Sequence, residues 1–151
     1  MCGRLLRAAD FESVLASPIR ARSAHFAAHH LARAPEPSKR VRAQSAGMKL
    51  STDDPDLCAQ PVEDHPRPGP TRWWFATVVP KRHARKATTR NLLRRQIRGA
   101  LLAHRGSLAR GMWLVRLRAP FDARSFRSAT SSTLRIAARA ELEGLLSRAA
   151  T

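Results

Sequence analysis

Apolar positions along the chain fall into rhythmic blocks set apart by polar punctuation. Phe11, Val14 and Leu15 recur at i, i+3 and i+4, which predicts a short helix over residues 8–17. Asp10 near its start complements the helix dipole, and Pro18 ends it. Residues 23–31 predict a strand, with His25, Ala27, His29 and Leu31 on one face and Phe26, Ala28 and His30 on the other. Residues 73–81 are apolar on both faces: Trp73, Phe75, Thr77 and Val79 point one way, Trp74, Ala76 and Val78 the other. A strand of that kind is expected at the centre of a sheet covered on two sides. A helix follows, capped by Thr88 or Thr89 and running to about His104. Residues 112–117 form another apolar strand between Gly111 and Pro120. A last helix, capped by Ser131 or Ser132, carries Leu134, Ala138, Leu142 and Leu145 along one stripe. The order helix, strands, helix, strand, helix predicts an α+β fold, a small central β-sheet with helices packed on it.

Residues 34–70 break this rhythm. They hold seven of the ten prolines and six of the eleven acids, and no apolar period runs through them. The expected organisation is therefore one domain, with residues 1–33 and 71–151 as its parts and 34–70 as a disordered Pro-rich insertion between two strands. The acidic residues there could fold back on a basic surface, but a passive loop is the preferred reading.

Charge sharpens the picture. The 151 residues carry a net charge of +17, and residues 65–121 contain fourteen Lys or Arg and no Asp or Glu. Such an imbalance repels itself unless an anion neutralises it, and nucleic acid is the first candidate. Arg far outnumbers Lys, which suits bidentate phosphate contacts but is also a mark of GC-rich coding. On a helical wheel Leu93, Ile97, Ala100, Leu101 and His104 share the arc that faces the sheet. Asn91, Arg94, Arg95 and Arg98 share the opposite arc, with Arg90 at its edge. Lys81, Arg82, Arg85 and Lys86 occupy the turn leading in, where side chains and helix N-terminal N–H groups can hold phosphates. Most charge runs are merely solvated faces. Those mix signs, whereas this one does not, and its Arg90/Arg94 and Arg94/Arg98 pairs repel at i, i+4 when no anion is present.

Other chemistry is sparse. Cys2 and Cys58 form neither a CxxC pair nor a zinc set, so a reducing compartment is expected. The six histidines lack partners at metal spacing, and no metal site is expected. No GxSxG, Walker A, GxGxxG or paired-carboxylate motif is present, which excludes a self-sufficient catalytic site of those kinds. No apolar run reaches the ~18 residues of a membrane helix. The start of the chain has no signal-peptide core, and its Asp10 and Glu12 argue against a transit peptide. A cytoplasmic protein with no membrane partner is the expectation. Trp73 and Trp74 could stack on bases, with core packing of a central strand as the preferred role.

The segment 81–98, KRHARKATTRNLLRRQIR, resembles the signature of the bacterial ribonuclease P protein component. Its R-N-x-x-[KR]-R-x-x-R motif matches at Arg90, Asn91, Arg94, Arg95 and Arg98. Residues 9–14 and 22–31 are similar to that family's first helix and first strand, and 74–81 and 115–120 to later strands. The resemblance implies an αβββαβα sandwich with a left-handed crossover. It implies a protein that does not cut alone but joins ribonuclease P RNA, which uses Mg2+ to remove the 5′ leader of precursor tRNA. No obligate protein partner is implied. Two surfaces follow from the resemblance. Lys81, Arg82, Arg85, Lys86, Arg90, Asn91, Arg94, Arg95 and Arg98 would meet the catalytic RNA. A cleft with Phe11, Leu15 and His29 would hold the single-stranded leader, although Leu15 and His29 stand where relatives often carry aromatics. Phe11 as plain core is the competing reading. A structural rRNA-binding or ribosome-assembly protein and a nucleoid-type DNA binder are the competing functions.

Overall fold

The computed structural model describes residues 2–5, 7–35, 70–122, 124–126 and 131–151. In chain order the elements are β1 (Cys2–Arg4), α1 (Ala8–Ala16), β2 (Ile19–Arg22), β3 (Phe26–Leu31), β4 (Trp73–Val78), α2 (Ala87–Ala103), β5 (Gly111–Leu117) and α3 (Ser132–Ala150). The expected insertion lies almost wholly outside the described residues.

All five strands join one mixed sheet in the order β1-β4-β5-β3-β2. β4 is flanked by two parallel neighbours, with Trp74 opposite Gly3 on one side and Met112 on the other. This makes it central, as its two apolar faces require. β3 runs antiparallel to β5, with Ala28 opposite Val115. β2 and β3 form a hairpin closed at Ser23, whose N–H donates to the Phe26 carbonyl at 2.9 Å. The strand expected from residue 23 therefore begins at Phe26, because Ser23 and its neighbours form the turn. The expectation of an α+β sandwich holds, with one addition: β1 precedes α1 and pairs with β4. Three residues are too short to show a period.

Alternation along the strands divides the core in two. Trp73, Phe75, Trp113, Val115, Phe26 and Ala28 meet α2 and α3 through Leu93, Ile97, Leu101, Leu142, Leu145 and Leu146. Ala76, Met112 and Leu114 on the opposite face meet α1 through Val14, together with Leu5. Trp113 is fully buried, and its Nε1–H donates to the Ala109 carbonyl at 2.8 Å, so its polar end carries no desolvation penalty. Gly111, which starts β5, has φ of +129°, and a Cβ there would lie 2.5 Å from the Leu31 carbonyl oxygen. Only glycine fits that approach.

The helix starts differ from one another. Ser131 caps α3, its Oγ accepting from Leu134 N–H at 3.1 Å. The expected Thr cap of α2 is corrected: Thr88 and Thr89 lie inside the helix, and the N-cap is Lys86, which makes no side-chain cap bond. Among the described residues no helix is long and apolar enough to cross a membrane.

Candidate nucleic-acid interface

α2 is anchored from beneath. Leu93, Ile97, Ala100 and Leu101 are buried against the sheet, while His104 serves as the C-cap. Burying a Leu or Ile side chain contributes about 1.5–3 kcal/mol, so the anchored arc fixes what the outer arc presents. On that outer arc Asn91, Arg94, Arg95 and Arg98 are all exposed.

The turn before α2 is equally defined. His83 and Ala84 donate backbone N–H groups to the Pro80 carbonyl at 3.1 and 3.2 Å, and Ala84 is buried. That pin leaves Lys81, Arg82, Arg85 and Lys86 exposed around the N-terminus of α2. Arg82 Nε donates to His83 Nε2 at 3.1 Å. Arg90 stands apart from the other cations of this surface. It is half-buried, and its Nη1 donates to the carbonyls of Ala84, at 3.1 Å, and Arg85, at 2.6 Å. It ties the turn to the helix. The structure thus gathers the nine residues expected to meet RNA onto one turn and one helix face, and gives one of them a structural duty.

The basic face continues onto β1, which carries no period of its own. Arg94, Arg95 and Arg98 border a pocket of about 230 Å3 that also touches Arg4, Phe75 and Thr77. The Arg98 guanidinium lies 5.8 Å from the Phe75 ring centroid, within range of a cation–π contact. Arg4 belongs to the strand that periodicity could not reveal.

The second expected surface lies on the other face of the sheet, beside α1. Phe11 is half-buried and packs against the Leu5, Val14, Ala76, Met112 and Leu114 cluster. Leu15, one turn on, is 37% exposed, and Ile19 beyond it is 42% exposed. His29 is only 2% exposed, so its ring presents no open face. Its Nδ1 lies 3.0 Å from the Ser17 carbonyl. A carbonyl only accepts, so Nδ1 carries the proton, and Nε2 is buried without a hydrogen-bond partner. Arg116 Nε, on the same face, is a buried donor also without a partner. The presence of Ile19 and Arg116 at this face was not legible in the sequence. The only hint of Arg116 is its being the one charged residue in the apolar run 112–117. Among the described residues no group of three or more His, Cys, Asp or Glu could hold a metal ion.

Comparison with known proteins agrees with this architecture. Residues 2–141 match the model of the family described as Ribonuclease P. A ribonuclease P protein component from Paraburkholderia xenovorans (strain LB400) is 41% identical over 73 residues, covering 48% of this chain and 52% of the relative. One from Burkholderia pseudomallei (strain 1106a) is 40% identical over 73 residues, covering 48% and 54%. The match thus spans about half the length of these curated relatives. The solved structure of the Staphylococcus aureus RNase P protein superposes with a TM-score of 0.53, covering 95% of this chain and 92% of that one. At 15% identity, that likeness speaks for the fold alone.

Proposed function

Because the chain belongs to the Ribonuclease P family, we propose that it is the protein subunit of a ribonucleoprotein endoribonuclease that matures the 5′ end of tRNA. The observation that carries this reading is the outer arc of α2, a rigid, exposed row of Asn91, Arg94, Arg95 and Arg98 with four more cations at the helix start. Phosphates of the catalytic RNA sit on that row. The α2 N-terminus, whose N-cap Lys86 makes no side-chain cap bond, adds the positive end of the helix dipole. The cations replace counterions that RNA strands otherwise need to approach one another, which lowers the Mg2+ the complex requires.

The face beside α1 holds the single-stranded leader. Phe11, Leu15 and Ile19 offer apolar contact to an unstacked base. Mg2+ bound by the RNA supplies charge stabilisation and an activated water when present. This chain's residues bind, orient and neutralise. The assembled enzyme works in the cytoplasm, with precursor tRNA as substrate and no further protein required.

The test is reconstitution. The full chain is mixed with a bacterial ribonuclease P RNA at Mg2+ too low for the RNA to act alone, and cleavage of precursor tRNA is followed. Cleavage at the mature 5′ end that depends on the chain is expected. Tight binding to ribosomal RNA with no effect on cleavage would instead favour a ribosome-assembly role.

A further inference from the structure

One groove extends beyond the two surfaces described above. It lies between the N-terminal halves of α2 and α3, measures about 830 Å3, and is lined by Thr88, Asn91, Leu92, Arg95, Gln96, Arg135, Ile136 and Arg139. Two properties set it apart. Arg95, Arg135 and Arg139 converge on it, and no lining residue is acidic. The ion pair Arg139 Nε–Glu143 Oε1, at 3.0 Å, joins side chains that are 68% and 51% exposed, so it holds Arg139 only weakly. The groove also carries Ile136, which is 64% exposed beside the half-buried Leu92. Ile136 lies off the Leu134, Ala138, Leu142 and Leu145 stripe that α3 buries, so the protein's own core does not explain it.

Three cations around an apolar spot exclude a purely apolar occupant and a basic one. They fit a polyanion that also presents a flat apolar surface. We infer that this groove receives an unpaired nucleotide of the same RNA that α2 holds, making α3 a second RNA-contacting helix. Phosphates lie on Arg95, Arg135 and Arg139, and the unstacked base covers Ile136 and Leu92. The amides of Asn91 and Gln96 are placed for a base edge. Double-stranded RNA presents phosphates and 2′-hydroxyls to a protein, which would leave Ile136 in water, whereas a bulged or looped nucleotide brings its base face out. Asn91 and Arg95 line the groove and also stand on the outer arc of α2, so the RNA path is continuous. The inference rests on the RNA-subunit reading and extends it to residues outside the α2 motif.

The experiment measures the affinity of the full chain for bacterial ribonuclease P RNA across a salt series. Three variants are compared with the parent: Arg135→Ala with Arg139→Ala, Ile136→Ser, and Arg94→Ala with Arg98→Ala as reference. The Arg135/Arg139 pair is expected to weaken binding on the order of tenfold and to flatten the salt slope by ~1.4, at ~0.7 per phosphate of single-stranded RNA. Ile136→Ser should weaken binding severalfold with the slope unchanged, since it removes apolar contact and no charge. All three residues are exposed, so melting temperatures should stay at the parent value. A benzophenone amino acid in place of Ile136 should crosslink to the RNA, which tests the groove without removing a charge. Parent-like affinity and slope for the Arg135/Arg139 pair, beside a clear loss for the Arg94/Arg98 pair, would overturn the groove while leaving the subunit reading standing. No loss for either pair would overturn both. A change in self-association of Ile136→Ser with RNA affinity intact would also overturn it, assigning the face to pairing between copies of the chain.

Discussion

Arg90 and Arg94 are one helical turn apart in the same motif, yet their environments set them to different tasks. Arg90 donates to two carbonyls of the turn before α2, and Arg94 points outward from the exposed arc. Hydrogen bonds from a charged donor contribute more than neutral ones. Arg90→Ala should therefore lower unfolding stability, by on the order of 1–2 kcal/mol, and loosen the turn that carries Lys81, Arg82, Arg85 and Lys86 as well. Arg94→Ala with Arg98→Ala should leave stability unchanged or raise it by relieving i, i+4 repulsion, while weakening RNA binding. Denaturant unfolding beside RNA affinity separates the two effects. Glu141, on α3, plays a comparable part for the turn of the β2–β3 hairpin. Burial pushes its carboxyl up, but hydrogen bonds from Ser23 and from the backbone and ring of His25 outweigh that and hold it below the usual carboxylate value. The backbone bond is 2.7 Å and the ring Nδ1 lies 2.8 Å away, with the His25 ring stacked on Phe121 at 4.0 Å. A depressed folded-state pKa contributes stability above the unfolded value of 4.5, which is lost as pH falls through the folded value. Glu141→Gln should be less stable than the parent at pH 7. The gap should narrow as pH falls below 4.5, which thermal melts across pH would read.

Among the elements, α1 and α2 differ in what they leave open. α2 buries one arc completely and presents another whose charges are all positive. α1 has nine residues, of which Asp10 and Val14 are buried, and it leaves Leu15 exposed and Phe11 half-covered. Half-coverage places Phe11 between the core reading and the cleft reading. Full loss of a core Phe costs ~3–5 kcal/mol, and a half-buried ring should cost about half of that. Phe11→Ala is thus expected to destabilise the chain by roughly 2 kcal/mol and also to weaken precursor tRNA binding in the assembled enzyme, sparing mature tRNA. A stability loss with equal effects on both RNAs would return Phe11 to the core and leave α2 as the supported surface.

At the scale of the whole molecule, the sheet brings together segments far apart in the chain. Leu31 and Trp74 pair with Met112 from opposite sides, so these residues at the facing ends of β3 and β4 lie about two strand spacings apart, roughly 10 Å. A short connection can span that gap, and loop length costs little free energy once the ends are held close. Replacing residues 38–68 with a short Gly/Ser linker should preserve a single cooperative transition and RNA-dependent activity. A lost transition would mean that the removed residues belong to the core.

How much of this was legible depended on whether the information is local. Where an element carries its own period, its faces could be read directly. Leu93, Ile97, Ala100 and Leu101 are buried and Arg94, Arg95 and Arg98 exposed, and the α3 stripe and the Ser131 cap stand where spacing put them. The α2 motif was legible for the same reason: its residues are neighbours on one helix, so one wheel contains the whole surface. β1 and β2, at three and four residues, are too short to carry a period and exist through pairing with β4 and β3. The fate of His29 was decided by the Ser17 carbonyl and the packing around it, twelve positions away. The structural duty of Arg90 required the turn to fold back on the helix. The groove that gathers Arg95, Arg135 and Arg139 exists only because α2 and α3, about forty residues apart, pack on the same face of one sheet. Periodicity fixes which side of an element is buried, whereas only tertiary packing decides which exposed residues come to share a surface.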